Sequence, residues 1–226
     1  MSLYLYALLD PAPRGPLGAG AWDEALRLAA CGPFTALVGV LDSAPEVDEP
    51  SLRGHDAVVR RIASACDAML PARYGNLAPD EATLAARLAP RVPELAEALE
   101  LVRGREQMTV RVFAPEPEAG AGDRNQMPEP DAGVGPGTAW LRARARAAAL
   151  PELAPLREAV ASFVLRERAQ RHSTPPLYAS VYHLVRRGDA EAYLRALQSA
   201  SARLAPMRAV ASGPWPAYAF APEDQP

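Results

Sequence analysis

The sequence predicts an α+β fold of two domains: an N-terminal α+β domain with a mainly antiparallel sheet, and a C-terminal α+β domain with a long helical arm or hairpin. Apolar runs of strand length occur in both halves of the 226 residues, and segments with helical periodicity lie between them. Residues 114–137 are rich in Pro, Gly and acidic side chains and separate the halves. The predicted domains are residues 1–113 and 138–226, joined by a flexible insert.

Charge changes at the same boundaries. Residues 1–113 carry 11 Arg against 15 acidic residues, the insert carries 1 against 5, and residues 138–226 carry 12 against 7. The chain contains no Lys, which excludes Schiff-base or general-base lysine chemistry and the phosphate loops that need an ε-amine. The first domain and the insert are therefore acidic, and the last third is basic.

In the first domain, residues 3–9 and 34–41 predict strands, and residues 21–31 predict a short helix ended by Gly32 and Pro33. The clearest helical pattern then opens at Ser51, a plausible N-cap. Its apolar positions are spaced by four or three residues along one helical face: His55, Val59, Ile62, Cys66 and Met69.

The rest of the first domain is predicted as a short strand over 72–77, helical pieces from Pro79 to Val102 and a strand over 108–113. The second domain begins with two helical segments, 138–150 and 156–171, which suggest an arm or hairpin. The remaining predictions are a strand over 177–186, a helix over 189–204 and a strand over 207–210.

No catalytic, cofactor-binding or metal-binding residue is predicted. Cys31 stands at a predicted helix end and is a candidate nucleophile, but no base lies at a telling spacing. His55 lies on the apolar helical face, which is typical of a packing residue. The adjacent acids Asp48 and Glu49 are not spaced as metal ligands. An enzyme that uses His55 or Cys31 as its reactive group remains an open alternative.

The basic last third keeps a second alternative open, a nucleic-acid-binding module. Its candidate residues are Arg142, Arg144 and Arg146 in the first helical segment. A spacing of two spreads these charges around a helix instead of lining one stripe, so the pattern favours a solvated helix.

The C-terminal segment concentrates three aromatic residues, Trp215, Tyr218 and Phe220, behind Pro214. Such a segment either seals the core of the second domain or offers an aromatic surface to a partner.

Together these motifs resemble the gas vesicle accessory protein family F/L (GvpF/GvpL). The run Leu70-Pro71-Ala72-Arg73-Tyr74-Gly75 is similar to that family's Leu-Pro-x-Arg-Phe-Gly signature, and Gly213 to Phe220 is similar to its Gly-Pro-Trp-Pro-Pro-Tyr-x-Phe ending. Leu3 to Tyr6 resembles its first strand, and Gly137 to Leu141 its second-half helix start. The sequence departs from the family pattern at four places: Tyr74 for Phe, Asn76 for Thr, Ala217 for Pro, and Gln107-Met108 for Glu-Trp.

The resemblance implies a non-enzymatic protein that assists gas vesicle assembly, or forms a minor part of the vesicle, by binding the apolar shell protein (GvpA). Other gas vesicle accessory proteins are further expected partners, and no cofactor, nucleic acid, membrane or small-molecule substrate is expected. The expected location is the cytoplasm and the gas vesicle. The candidate partner-binding residues are Arg73, Tyr74, Trp215, Tyr218 and Phe220.

Overall fold

The computed structural model describes residues 1–115 and 150–222. The fold is α+β, as predicted, and contains two antiparallel sheets. The chain divides into two compact units, one formed by Met1–Gln107 with Pro214–Pro226 and the other by Met108–Gly213. The C-terminal segment thus groups with the first unit, whereas the predicted boundaries placed it in the second domain.

The two sheets contain nine strands among the described residues. These strands are β1 (Ser2–Leu9), β2 (Arg27–Cys31), β3 (Phe34–Leu41), β4 (Met69–Pro71), β5 (Leu77–Ala78), β6 (Arg105–Phe113), β7 (Arg166–Arg171), β8 (Leu177–Arg186) and β9 (Arg208–Trp215). The α-helices of the same residues are α1 (Glu49–Ala63), α2 (Glu81–Leu88), α3 (Val92–Val102), α4 (Ala154–Val160) and α5 (Ala190–Ser201). None of these helices is both long and apolar enough to span a bilayer.

The first sheet has the order β2-β3-β1-β4, with β5 also paired to β1. Strand β1 is central, and every residue from Leu3 to Leu9 is buried, which agrees with its nearly unbroken apolar sequence. Helix α1 packs Val58, Val59 and Ile62 against the tyrosines of β1. Helices α2 and α3 pack against β2 and β4.

Helix α1 begins one turn earlier than the sequence predicts. Its N-cap is Asp48, whose Oδ1 accepts a hydrogen bond from the Ser51 amide at 2.8 Å, so Ser51 is not the cap. The helix ends at Ala63, before the last two predicted apolar positions. Cys66 and Met69 still join the same core, from the loop and from β4.

The helix predicted over residues 21–31 is wrong. Arg27–Cys31 is strand β2, which pairs with β3 in an antiparallel hairpin from Cys31 opposite Phe34 to Arg27 opposite Val38. Gly32 has a φ of +62°, so Gly32-Pro33 is a two-residue hairpin loop and not a helix stop. Hydrogen bonding to β3 outweighs the local helical preference of this segment.

The second sheet has the order β7-β8-β6-β9, and α4 and α5 pack on one of its faces. The strand predicted over 177–186 is confirmed as β8. The helix predicted over 156–171 ends at Val160, and residues 166–171 form β7 because they pair with β8 along its length. The predicted first helix of the arm, the Gly137 to Leu141 motif and residues 116–137 of the insert lie outside the described residues.

Candidate functional site

An aromatic cluster in the first unit brings together residues from separate sequence motifs. Tyr4 and Tyr6 come from β1, His55 from α1 and Tyr74 from the Leu70 to Gly75 signature. The Tyr4 ring lies edge-on to Tyr6, His55 and Tyr74 with centroid distances of 4.8, 5.6 and 6.1 Å. Trp22 completes the cluster at 5.1 Å from Tyr4. Edge-to-face packing of this kind fixes ring positions and adds to the stability that burial provides.

Hydrogen bonds hold the centre of this cluster. The Tyr4 hydroxyl lies 2.8 Å from Nδ1 of His55 and accepts a hydrogen bond from the Gly75 amide at 3.3 Å. Burial raises the pKa of Tyr4 and lowers the pKa of His55, so both groups are uncharged at neutral pH. These hydrogen bonds therefore connect β1 to α1 and to the Leu70 to Gly75 segment. His55 has the packing role that its position on the helix predicts.

Glu24 fastens the loop that precedes β2. Its Oε1 accepts a hydrogen bond from the Tyr6 hydroxyl at 2.5 Å, and its Oε2 accepts one from the Trp22 amide at 2.9 Å. The Ala21 amide donates to the Tyr6 oxygen at 2.8 Å. The carboxylate sits against Gly39 of β3, where a Cβ would come within 2.5 Å of Oε1. Sequence reasoning missed Glu24, because it lies inside the segment predicted as a helix.

Arg73 and Tyr74 lie at the edge of this cluster. Arg73 is exposed, whereas Tyr74 is half-buried and its hydroxyl donates to the Glu46 carbonyl at 2.5 Å. Beside Glu46, Val47 is 82% exposed, and Leu52, one helical turn before His55, is 43% exposed. We call Val47, Leu52, Arg73 and Tyr74 the α1-start surface. It combines exposed apolar side chains with a rigid aromatic base.

The C-terminal segment binds to the outer side of α1. The Tyr218 hydroxyl donates to Oδ1 of Asp56 at 3.0 Å, and the Arg60 guanidinium lies 3.8 Å from the centre of the Trp215 ring. Arg60 also pairs with Asp56 at 2.6 Å. Burial, together with the Asp56 carboxylate, raises the pKa of Tyr218. Phe220 is only 1% exposed and anchors the segment, whereas the Trp215 and Tyr218 rings are half-buried.

Gln107 explains how one departure from the family pattern is accommodated. Its side-chain Oε1 accepts a hydrogen bond from the Ala219 amide at 2.8 Å, and the residue is 4% exposed. An amide oxygen accepts this bond as a carboxylate would, without burying a charge. The neutral side chain therefore anchors the C-terminal segment to the first unit.

A second polar network lies in the second unit. His183, in β8, contacts Glu167 through Nε2 at 2.9 Å and the Tyr193 hydroxyl through Nδ1 at 2.7 Å. Arg157 donates to the same carboxylate at 2.7 Å. The His183 bond and Arg157 lower the pKa of Glu167 to about 2. Sequence reasoning missed this network, because Glu167 lies in the segment predicted as a helix and comes opposite His183 only through the pairing of β7 with β8.

Both candidate reactive groups, Cys31 and His55, are buried. Cys31 lies in β2 and is 1% exposed, and burial raises the pKa of its thiol, which disfavours the nucleophilic thiolate. Cys66 is also buried. Within residues 1–115 and 150–222 no group of three or more His, Cys, Asp or Glu side chains is placed to hold a metal ion. Arg142, Arg144 and Arg146 lie outside the described residues, so the nucleic-acid alternative stays a prediction.

The fold is shared by two solved structures. Gas vesicle protein GvpF from Anabaena sp. PCC7120 is 15% identical, with a TM-score of 0.74 over 99% of this chain and 97% of that chain. GvpF from Microcystis aeruginosa is also 15% identical, with a TM-score of 0.73 over 98% of this chain and 99% of that chain. A comparison with curated proteins gave no match.

The family follows from the sequence itself. The family model described as gas vesicle synthesis protein GvpL/GvpF matches residues 2–222. The chain therefore belongs to the GvpL/GvpF family, as its motifs predicted, and membership gives it an accessory role in gas vesicles.

Proposed function

We propose that this protein assists assembly of the gas vesicle wall by binding the apolar shell protein GvpA, without catalysing a reaction. A protein that forms a gas-facing wall exposes apolar surface before it assembles, and such surface aggregates unless it is covered. A folded binder that covers this surface needs exposed apolar side chains on a rigid support. Cofactor, membrane and nucleic acid have no part in this proposal.

The α1-start surface is the observation that carries the proposal. Val47 and Leu52 occupy positions on either side of the Asp48 N-cap where apolar residues usually pack on each other, yet both are exposed. Tyr74 is fixed by its bond to the carbonyl of Glu46, which precedes Val47 in the chain, and by the His55 ring at 5.7 Å. Preorganised aromatic and apolar groups are typical of the centre of a binding surface.

The C-terminal segment forms the second part of the proposed surface. Trp215 and Tyr218 are half-buried against α1, while Phe220 and the Gln107 bond hold the segment in place. We propose that Trp215 and Tyr218 contact the partner. Phe220 holds these two rings in position. Arg73 is exposed next to Tyr74 and supplies a cation at the rim.

The proposal is tested by coexpressing tagged protein with GvpA and measuring how much GvpA is captured. A V47D/L52D variant is expected to lose capture by about tenfold, because an exposed apolar contact becomes charged. The matched control is V210D, since Val210 is 42% exposed but lies in the second unit. Equal capture by V47D/L52D and wild type removes the α1-start surface from the proposal. Absence of capture by wild type, together with vesicles that still form after gene deletion, refutes the function.

A further inference from the structure

A cavity of about 320 Å³ lies in the first unit, between the loop that follows β1 and the turn that follows α1. Cavities that hold small ligands usually have volumes of about 300–1,000 Å³, so this one suits a ligand of few atoms. The residues that line it are Pro11, Ala12, Arg14, Ala65, Cys66 and Asp67. The lining therefore combines small apolar residues with one cationic and one anionic side chain.

The two charged side chains of this cavity, those of Arg14 and Asp67, are exposed and unpaired. Neither side chain has a hydrogen-bond or ion-pair partner within the part of the chain that the structure describes, and they do not pair with each other although they line the same cavity. The neighbouring Asp10 is already matched, since its carboxylate binds Arg103 at 2.7 Å. Arg14 and Asp67 are thus available for one negative and one positive group of a ligand.

Backbone hydrogen bonds hold both walls of the cavity in place. The Asp10 amide donates to the Ala68 carbonyl at 3.2 Å, which joins the start of the loop to the residue before β4. Pro11 restricts the loop backbone directly after this bond. On the other wall, the Gly104 amide donates to the Asp67 carbonyl at 2.8 Å. Because the walls are already ordered, a ligand loses little of its binding free energy to ordering them.

We infer that this cavity binds a small zwitterion of dipeptide size, with its carboxylate at Arg14 and its ammonium group at Asp67. A guanidinium binds a carboxylate through two parallel hydrogen bonds, and a carboxylate accepts the hydrogen bonds of an ammonium group. An extended dipeptide is about 7 Å long, and a sphere of the cavity's volume is about 8 Å across. A ligand with a single charge would engage only one of the two side chains.

This site is separate from the α1-start surface. The α1-start surface lies at the first turn of α1, whereas Ala65 and Asp67 follow the last residue of that helix, and a helix of 15 residues is about 22 Å long. Binding of a zwitterion here involves no reaction, so it is independent of the proposed function. The sequence predicted no small-molecule ligand, because Arg14 and Asp67 lie far apart in the chain and meet only in the fold.

The probe for this site is the dipeptide alanylalanine, and its binding to the full chain is measured by isothermal titration calorimetry at roughly 50 mM salt. R14Q and D67N are each expected to weaken binding by at least about fivefold, because each variant removes one of the two charged contacts. The matched controls are R195Q and E191Q, which remove exposed charges from α5 in the second unit. Both controls are expected to bind the dipeptide as wild type does.

Two blocked dipeptides assign each charge of the ligand to its side chain. N-acetyl-alanylalanine lacks the ammonium group and alanylalanine amide lacks the carboxylate, so wild type is expected to bind each at least about fivefold more weakly than alanylalanine. D67N is expected to bind N-acetyl-alanylalanine and alanylalanine equally. R14Q is expected to bind alanylalanine amide and alanylalanine equally, because the contact that distinguishes the two ligands is absent.

Three results would overturn the inference. The first is that alanylalanine does not bind to wild type. The second is that R195Q and E191Q weaken binding as much as R14Q and D67N do. The third is that wild type binds the blocked dipeptides as tightly as alanylalanine, which would show that neither charge is recognised.

Discussion

The phenol oxygen of Tyr4 lies 2.8 Å from Nδ1 of His55 across 51 residues of sequence, and this contact joins the central strand to the first helix. Y4F removes the hydroxyl and leaves a buried imidazole nitrogen without its partner. We expect a loss of about 1–3 kcal/mol in the free energy of unfolding, measured by urea denaturation.

The control for Y4F is Y182F, since Tyr182 is half-buried in β8. We expect Y182F to change the free energy of unfolding by less than about 0.5 kcal/mol. Equal losses in the two variants would show that the Tyr4 hydroxyl makes no special contribution.

Gly39 makes room for the Glu24 carboxylate, and this relationship predicts a non-additive pair of substitutions. G39A places a Cβ 2.5 Å from Oε1 of Glu24, so the carboxylate must leave Tyr6. We expect G39A to cost about 1–3 kcal/mol in wild type and much less in the E24A background, where the space is empty. Urea denaturation of the two single variants and the double variant measures the coupling, and simple additivity would contradict the prediction.

The contact between Arg60 and Trp215 predicts a measurable coupling between α1 and the C-terminal segment. A guanidinium 3.8 Å from a Trp ring contributes about 0.5–1 kcal/mol at a partly exposed site. We expect a double-mutant cycle of R60A and W215A to yield a coupling energy of this size. A parallel cycle with R53A, on the same helix, is expected to give none, and coupling of equal size in both cycles would rule out a specific contact.

Glu167 predicts an acid-sensitive contribution to stability. Its folded pKa of about 2 lies below the ordinary value of a glutamate, so its stabilisation is complete above about pH 4.5 and is lost as pH falls towards 2. The side chain is 27% exposed, so solvent screens part of the effect and we expect about 1–2 kcal/mol.

The measurement is the free energy of unfolding from pH 2 to pH 6 for wild type and E167Q. The difference between them is expected to shrink as the pH falls through this window. E191Q is the control, because Glu191 is 90% exposed and its pair with Arg195 is long at 3.6 Å. A difference between wild type and E167Q that stays constant with pH would contradict the prediction.

Secondary structure was predicted best where the local sequence pattern of a segment matches the element that the segment forms in the fold. Strand β8 has the predicted bounds, and the predicted helical run from Pro79 to Val102 contains α2 and α3. The secondary-structure prediction was wrong at β2 and β7. Both segments have local patterns typical of helices and become strands only by pairing with β3 and β8. Propensity in a short segment is a small energy that such pairing overcomes.

The candidate site was predictable in part for a similar reason. His55 and Tyr74 lie in recognisable motifs, and the structure places them 5.7 Å apart. Glu24 carries no local signal, because its partners Tyr6 and Gly39 lie on two different strands. The attachment of Phe220 to the first unit was equally hidden, since that contact depends on how the chain returns after more than a hundred intervening residues.

The chain order of the two units has a consequence for synthesis on the ribosome. The first unit is built from Met1–Gln107 and Pro214–Pro226, so the whole of Met108–Gly213 is translated before its last piece is available. Until Trp215, Tyr218 and Phe220 emerge, the outer side of α1 lacks the segment that covers it. A nascent chain therefore completes its first unit only after the whole of Met108–Gly213 has been translated.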